Sequence, residues 1–176
     1  MPIVLSRQQQ GAAMPTPTSH SPLFIIPLSV EFAREICGWR YPAPYDLYRW
    51  PDWDKMVIDG YEFADPKIRE EQYRAVVDQV GDSIGFVQFF PMEGVTRLGM
   101  GLRPDLCGKG LGPVMARKAA EEALILRPNC QVDLEVLVWN DRARKAYLKA
   151  GFMIEDDYER STPTGAGFFH CMVYVS

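Results

Sequence analysis

The chain has 176 residues, 47% hydrophobic and 24% charged, which is typical of a globular protein with one substantial core. The net charge of −4 argues against a nucleic-acid-binding surface, and the longest apolar run, LFIIPL, is far too short to cross a membrane. The four scattered cysteines form no C-x-x-C pair, and the two histidines suggest no metal site. We therefore expect reduced thiols in a cytoplasmic protein.

The N-terminal stretch differs in composition from the rest of the chain. Residues 1–22 are rich in glutamine, proline, serine and threonine, which offer little to a core. They also lack the charged start and apolar stretch of a secretory signal. We expect an N-terminal tail over residues 1–22 and one folded domain over residues 23–176.

The first half of this domain begins with alternating strand and helix patterns. A strand is predicted by LFIIPL (23–28), and Ser29 is placed to cap the helix that follows it. Next comes the aromatic segment (residues 39–53), whose prolines and aromatic rings indicate either core packing or a wall that holds a cationic amine. A hairpin is then predicted by QYRAVVDQV and SIGFVQFFP, which are joined by a Gly81-Asp82 turn.

The second half contains one strand–helix–strand crossover. A third strand is predicted by VTRLGMGLRP, and a helix by the apolar pattern from about Gly110 to Leu126. The pattern QVDLEVLVW predicts a strand, NDRARKAYLKAGF predicts a helix capped by Asn140 and closed by Gly151, and two final strands follow. Hairpins beside one crossover indicate an α/β layered domain.

The glycine loop (residues 108–112) lies where the long helix must begin. Glycine weakens a helix, but it leaves the backbone bare, so N–H groups can approach an anion closely. The positive end of the helix dipole favours the same ligand. The alternative is a tight turn without a ligand. The backbone donors would come from Gly108, Lys109, Gly110, Leu111 and Gly112.

Two stretches resemble the GCN5-related N-acetyltransferase (GNAT) superfamily, over roughly residues 23–175. The stretch LRPDLCGKGLG is similar to the acetyl-CoA loop R/Q-x-x-G-x-G/A, and LEVLVWNDRARKAYLKAGF to the pattern L-x-V-x-x-x-N-x-x-A-x-x-x-Y-x-x-x-G-F. The second stretch is most similar to the ribosomal-protein alanine N-acetyltransferase branch. The resemblance implies a GNAT fold: a central mixed, mostly antiparallel sheet of about six to seven strands flanked by about four helices, with splayed central strands forming the acetyl-CoA cleft.

The chain departs from these patterns at two positions. Cys107 stands where the loop pattern has Arg or Gln. Binding of the pyrophosphate of acetyl-CoA would therefore depend more on backbone donors, with Lys109 supplying part of the missing charge. Leu137 follows L-E-V, where the ribosomal-protein branch commonly has arginine. The aromatic segment between Trp39 and Trp53 also differs from that branch, and it and Leu137 together leave the acceptor class open.

The resemblance also implies roles for individual residues. The strand MGL (Met100, Gly101 and Leu102) would run beside the pantetheine arm, where one N–H would polarise the thioester carbonyl. Asn140 and Tyr147 are seven residues apart and share a helical face. Asn140 would cap its helix and contact the pantetheine.

Tyr147 and Glu135 are the two catalytic candidates. Tyr147 matches the family's general acid, which protonates the departing thiolate, and the alternative is a core aromatic. Glu135 matches the general base of the ribosomal-protein branch. The alternative for Glu135 is a solvated strand residue.

The favoured function is therefore an N-acetyltransferase. It would move the acetyl group of acetyl-CoA to a primary amine, on a small molecule or a peptide N-terminus, by direct attack. We expect no metal, nucleic acid or membrane partner, and a homodimer is the oligomer considered. The alternatives are a non-catalytic acyl-CoA-binding or sensing module and a structural domain without a ligand.

Overall fold

One mixed sheet of seven strands runs through the computed structural model, which describes residues 15–175. Residues 1–14, the first part of the predicted tail, lie outside the described residues. The strand number confirms the predicted sheet, and its spatial order is β1-β2-β3-β4-β5-β7-β6. The strands are β1 (Phe24–Pro27), β2 (Tyr73–Val77), β3 (Ser83–Met92), β4 (Val95–Leu102), β5 (Gln131–Leu137), β6 (Phe152–Thr162) and β7 (Gly165–Tyr174).

Helices cover both faces of this sheet. Within residues 15–175 there are five α-helices, together with short 3-10 turns. The sequence analysis predicts the first, fourth and fifth of them and leaves residues 54–71, which hold most of the other two, unassigned. The helices are α1 (Val30–Cys37), α2 (Trp53–Asp59), α3 (Pro66–Gln72), α4 (Leu111–Leu126) and α5 (Asp141–Ala150).

The strand pairing contains the predicted crossover. Neighbouring strands pair antiparallel except β4 and β5, which pair parallel and are joined by α4. A parallel pair needs a long connection, and a helix is the usual one. The β2–β3 hairpin is also confirmed, with Gly81 at its turn in the left-handed region (φ 88°).

Two apolar cores lie on opposite faces of the sheet. One packs α4 and α5 against the central strands, and alanines such as Ala116 and Ala119 let the helix approach the sheet closely. The other packs α1, α2 and α3 against β2 and β3, around buried aromatic rings such as those of Phe63 and Tyr73. The two cores leave the end of β4 and the start of α5 accessible between them.

Local capping explains where two predicted helices begin. The Ser29 hydroxyl accepts the N–H of Phe32 at 3.2 Å, and α1 starts directly after it, as predicted. The Asn140 Oδ1 accepts the N–H of Ala143 at 3.2 Å, and α5 ends at Gly151, whose φ of 109° is left-handed. Asn140 and Gly151 therefore fix the bounds of α5 as the sequence predicts.

Candidate active site

A wedge-shaped gap opens between β4 and β5. Their parallel pairing ends at Leu98 and Leu134. Beyond that point β4 remains paired with β3 as far as Leu102, and β5 remains paired with β7 as far as Leu137. The two central strands therefore splay apart as the sequence analysis expects, and we call the space between them the cleft.

The β4 edge of the cleft presents backbone groups. Arg103 donates its N–H to the carbonyl of Ile84 on β3 at 2.9 Å. Hydrogen-bonded and non-bonded pairs alternate along antiparallel strands, so Met100 and Leu102 turn their N–H and carbonyl groups away from β3 and toward the cleft. The backbone of Gly101 instead pairs with Phe86.

The β5 edge presents backbone groups in the same way. Val138 donates its N–H to the carbonyl of Phe168 at 3.0 Å, which fixes the alternation along β5 and β7. By that alternation Glu135 and Leu137 turn their backbone groups away from β7. Donors and acceptors on both edges therefore face the cleft, as an extended ligand with amide groups requires.

Gly101 has a packing reason to be glycine. A Cβ at this position would lie 2.2 Å from the ring of Phe86, well inside van der Waals contact. The Phe86 ring belongs to the core beneath α1 and α2, so its position against bare backbone links that core to the cleft. Gly101 therefore keeps β4 and Phe86 close together, while Met100 and Leu102 supply the groups that face the cleft.

The glycine loop leads directly into α4. Gly108 and Gly110 both have left-handed backbones (φ 78° and 79°), which side-chain-bearing residues adopt at a cost. Gly110 is the N-cap of α4 and, among the described residues, no side chain caps that end. Lys109 is exposed between the two glycines, whereas Leu111 is fully buried and anchors the helix. The first N–H groups of α4 are therefore open to an anion.

Asn140 and Tyr147 lie on the opposite wall, Asn140 at the start of α5 and Tyr147 two turns further along the same helix. Asn140 caps the helix with its oxygen and donates from Nδ2 to the hydroxyl of Tyr48 at 3.0 Å. Tyr147 is half-buried and packs beside Phe152, with ring centroids 6.1 Å apart. Burial raises the pKa of Tyr147 to about 12, and the nearby Tyr48 adds to that rise. The Tyr147 phenol is therefore protonated throughout the neutral range.

Glu135 lies inside a network of charged side chains on the face of the sheet opposite α4. Its Oε1 accepts hydrogen bonds from Arg97 Nη1 at 2.5 Å and from the Tyr158 hydroxyl at 2.6 Å. Its Oε2 accepts from Arg160 Nε at 2.6 Å, and Arg97 also forms a bidentate pair with Asp133. The side chain of Glu135 is only 9% exposed, whereas that of Arg160 is 47% exposed. Both carboxylate oxygens of Glu135 are thus already occupied by donors.

Some residues of the aromatic segment pack in the core, and others lie at the cleft. Trp39 and Trp50 pack in the core with Phe86. Tyr41 and Tyr48 instead contact the two walls of the cleft. Tyr41 donates its hydroxyl to the Leu102 carbonyl at 2.7 Å, and Tyr48 accepts from Asn140. This segment therefore bridges the cleft from β4 to α5.

Several contacts in the candidate site have no local signal in the sequence. Arg97, Tyr158 and Arg160 meet Glu135 only because β4, β5, β7 and β6 lie side by side. The strand alternation places Asp133 and Glu135 on one face, and this was the only available hint that a cation would lie opposite them. The hydroxyls of Tyr41 and Tyr48 could be assigned to the cleft only from the tertiary structure.

Cys107 does not have the properties of a nucleophile. Burial raises the pKa of its thiol, so the thiol form dominates near neutral pH.

Between residues 15 and 175, no three His, Cys, Asp or Glu side chains cluster in a way that would hold a metal ion. No helix in that range is both long and apolar enough to cross a membrane.

The comparison with protein families identifies the chain. A model described as the acetyltransferase (GNAT) family matches residues 33–152, which include both walls of the cleft. The chain belongs to the GNAT family. It is accordingly an acetyl-CoA-dependent acetyltransferase, and its seven-stranded sheet with a splayed β4–β5 pair is the GNAT fold.

Solved structures with this fold include spermidine N-acetyltransferases. A SpeG chimera from Vibrio cholerae and hSSAT has 17% identity and a TM-score of 0.67, covering 87% of this chain and 95% of that chain. The Vibrio cholerae enzyme in complex with CoA and spermine has 17% identity and a TM-score of 0.62, covering 86% and 94%. A dodecameric structure of that enzyme has 17% identity and a TM-score of 0.63, covering 87% and 93%. A comparison with curated proteins gave no match.

The cleft fits acetyl-CoA. Backbone groups of Met100 and Leu102 face the space that an extended amide-bearing arm needs, and the uncapped start of α4 offers N–H groups to phosphates. When bound, acetyl-CoA supplies the acetyl group as an activated thioester. The residues of the protein have to hold and orient that thioester and to transfer protons near it.

Proposed function

We propose that this GNAT enzyme transfers the acetyl group to a primary amine, on a small molecule or at a peptide N-terminus, by direct attack of the amine. One observation carries the proposal: the open edges of β4 and β5 face each other, and the protonated Tyr147 lies on α5 near Tyr48, which is bonded to Asn140 at the start of that helix. Binding groups and a proton donor are thus brought to the same cleft.

The binding roles follow from which groups face the cleft. Met100 and Leu102 would pair through their backbones with the amides of the pantetheine arm, and Gly101 would keep β4 in register against Phe86. The glycine loop, including Lys109, would hold the pyrophosphate through N–H groups and one ammonium. Asn140 would contact the arm through the amide that now donates to Tyr48.

Tyr147 would act as the general acid. A thiolate of pKa about 8.5 must take up a proton as it leaves, and a phenol that remains protonated at neutral pH has that proton available. One side of this end of the cleft is polar because Asn140, Tyr48 and Tyr147 lie there. Removing only the hydroxyl of Tyr147 should therefore slow the chemical step without removing a binding contact.

Glu135 remains the candidate general base, and its network sets a condition on that role. An acceptor nitrogen can reach the carboxylate only if one donor moves aside or if a water relays the proton. Arg160 is the most exposed of the three donors, so its departure would disturb the network least. The alternative is that Glu135 only holds Arg97, Tyr158 and Arg160 together.

The structural neighbours support an amine acceptor. They are spermidine N-acetyltransferases, and one of them was solved with CoA and spermine. The ring of Trp139, which is partly exposed beside Tyr48 and next to Asn140, offers a surface for a cationic amine. One neighbour is a dodecamer, and for this chain a homodimer stays a prediction that light scattering can test.

A thiol-release assay tests the proposed function. The full chain is mixed with acetyl-CoA and a panel that includes a polyamine, an aminoglycoside and a short peptide with a free N-terminus. We expect at least one amine to raise thiol release well above the rate without an acceptor, with an acetylated product confirmed by mass spectrometry. Binding of acetyl-CoA in a thermal-shift experiment without release for any amine would instead indicate a non-catalytic acyl-CoA-binding module.

A further inference from the structure

The glycine loop lacks the polar side chain that its own pattern predicts. Cys107 occupies that position, is half-buried, and lies with its sulfur 3.7 Å from the Arg103 carbonyl. A thiol is a weak donor and carries no charge at neutral pH, so it cannot replace a guanidinium beside a pyrophosphate. A second cation besides Lys109 would have to come from another element.

The packing of α5 against α4 shows which element can supply it. The two helices run side by side in the same direction: a Cβ at Gly112 would lie 3.3 Å from the Cβ of Ala146, and Arg117 donates to the carbonyl of Ala150 at 3.3 Å. Arg142 lies four residues before Ala146, on the same helical face. Because the helices run in the same direction, Arg142 lies about one turn beyond Ala146 toward the N-terminal end of α4, which the glycine loop precedes.

The guanidinium of Arg142 is held in place but is not neutralised. Its central carbon lies 3.8 Å from the centroid of the Tyr45 ring, and in residues 15–175 it has no carboxylate partner and no hydrogen bond. Arg144, two residues along the same helix, is paired with Asp141 at 2.6 Å. Stacking on a ring leaves the N–H edge of a guanidinium free to bind an anion. Arg142 thus offers a pre-positioned, unpaired cation.

The charge of Arg142 influences two residues beside the cleft. The positive charge of Arg142 lowers the pKa of Cys107 and of Tyr41, against the larger effect of burial. Cys107 adjoins the glycine loop and Tyr41 is bonded to the last residue of β4. The charge therefore acts on the β4–α4 wall from the α5 side.

We propose that Arg142 binds the pyrophosphate of acetyl-CoA from the α5 side of the cleft and takes the place of the Arg or Gln that the loop lacks at Cys107. This inference rests on the cofactor site described under the proposed function. The Tyr45 ring positions the guanidinium, and the glycine loop supplies the backbone donors on the other side of the same anion. A planar guanidinium suits this task because it can form two parallel hydrogen bonds to phosphate oxygens.

Calorimetry with three ligands tests this assignment. We expect Arg142→Gln to weaken the binding of CoA and of dephospho-CoA by about tenfold to a hundredfold, the usual effect of losing a hydrogen bond to a charged group. Pantetheine, which has no phosphate, should bind the variant as it binds the parent. A loss for CoA but not for dephospho-CoA would overturn the pyrophosphate assignment, and an equal loss for pantetheine would show that Arg142 only supports the fold of the cleft.

Two further variants sharpen the result. Arg144→Gln removes a neighbouring charge that is already paired, and it should leave the affinity for CoA within about twofold of the parent because surface ion pairs contribute little. Adding Cys107→Arg to Arg142→Gln should restore most of the lost affinity. An unchanged affinity in the double variant would contradict the compensation. If the parent itself fails to bind CoA, the cofactor site is wrong, and that outcome is distinct from a failure of Arg142 alone.

Discussion

The two walls of the cleft recognise their ligand by different means. The β4–α4 wall presents backbone groups of Met100 and Leu102 and the bare loop around Gly110. The β5–α5 wall adds side chains to the backbone groups of its strand edge, above all those of Asn140, Arg142 and Tyr147. Backbone recognition depends on conformation, so glycines fix it, whereas side-chain recognition depends on chemical identity. We therefore expect Gly110 on the first wall to affect binding and Tyr147 on the second wall to affect chemistry.

The largest expected effect is that of Tyr147→Phe. Losing the proton donor should lower kcat by about a hundredfold to ten-thousandfold, while acetyl-CoA affinity stays nearly unchanged. Steady-state thiol release and calorimetry measure the two quantities. Tyr174→Phe, which also removes one hydroxyl near Phe152, is the matched control and should leave kcat unchanged. Parent-like turnover in Tyr147→Phe would make Tyr147 a packing residue.

The pH dependence of the parent adds a second test of the same residue. Because the folded pKa of Tyr147 is raised from 10.0 to about 12, the phenol should stay protonated through pH 10 and ionise only as the pH approaches 12. The stability it contributes is present below the unfolded pKa and is lost as the pH rises through the folded pKa. We expect no loss of kcat between about pH 8 and 10. A fall in kcat centred near pH 10 would show that the acid has an ordinary tyrosine pKa.

Glu135→Gln should have the next largest effect if Glu135 is the base. The rate should fall by about a hundredfold at neutral pH and by much less at high pH, where the free amine is already abundant. Tyr158→Phe is the control because it removes one donor to Glu135 and keeps the carboxylate. A pH–rate profile of Glu135→Gln that matches the parent, with a good acceptor, would assign the deprotonation to another group or to bulk water.

On the β4–α4 wall, Gly110→Ala should weaken CoA binding by about tenfold, comparable to one lost hydrogen bond to a charged group. The substitution strains a backbone with φ of 79° and disturbs the loop amides. Gly94→Ala imposes the same kind of strain (φ 69°) at the β3–β4 turn, with no atom within 4 Å of the new Cβ. Both variants should lose about 1 kcal/mol of stability, but only Gly110→Ala should lose affinity. Equal CoA affinities in the two variants would contradict the proposed loop site.

The smallest effect is expected at the helix cap. Asn140→Ala should lower the free energy of unfolding by about 1 kcal/mol because α5 loses its N-cap. Tyr48→Phe removes the other hydrogen bond of Asn140 and leaves the cap in place, so it should cost less. Chemical denaturation of the two variants compares them. If Tyr48→Phe proves the more destabilising, the bridge across the cleft matters more than the cap.

The sequence predicts the features that depend on local chain geometry. The glycine loop, the cap at Asn140 and the left-handed Gly151 lie within short stretches whose backbone requirements are visible residue by residue. The crossover between β4 and β5 follows from the same patterns, and the splayed cleft from the family resemblance.

The features that the sequence could not predict depend on which strands become neighbours. Glu135 shares its carboxylate with Arg97 on β4 and with Tyr158 and Arg160 on β6, two strands that are distant from it in the sequence. Periodicity places Glu135 on one face of a strand but does not say what covers that face. Arg142 is a similar case, because its relation to the glycine loop depends on how α4 and α5 pack.

The most direct test of the difference between the two walls is single-turnover thiol release at increasing acetyl-CoA concentration, in the presence of a good amine acceptor. We predict that Tyr147→Phe lowers the plateau rate without moving the half-saturating concentration. Gly110→Ala should raise the half-saturating concentration and keep a plateau close to that of the parent. If both variants change the same parameter, the assignment of binding to Gly110 and of chemistry to Tyr147 is wrong.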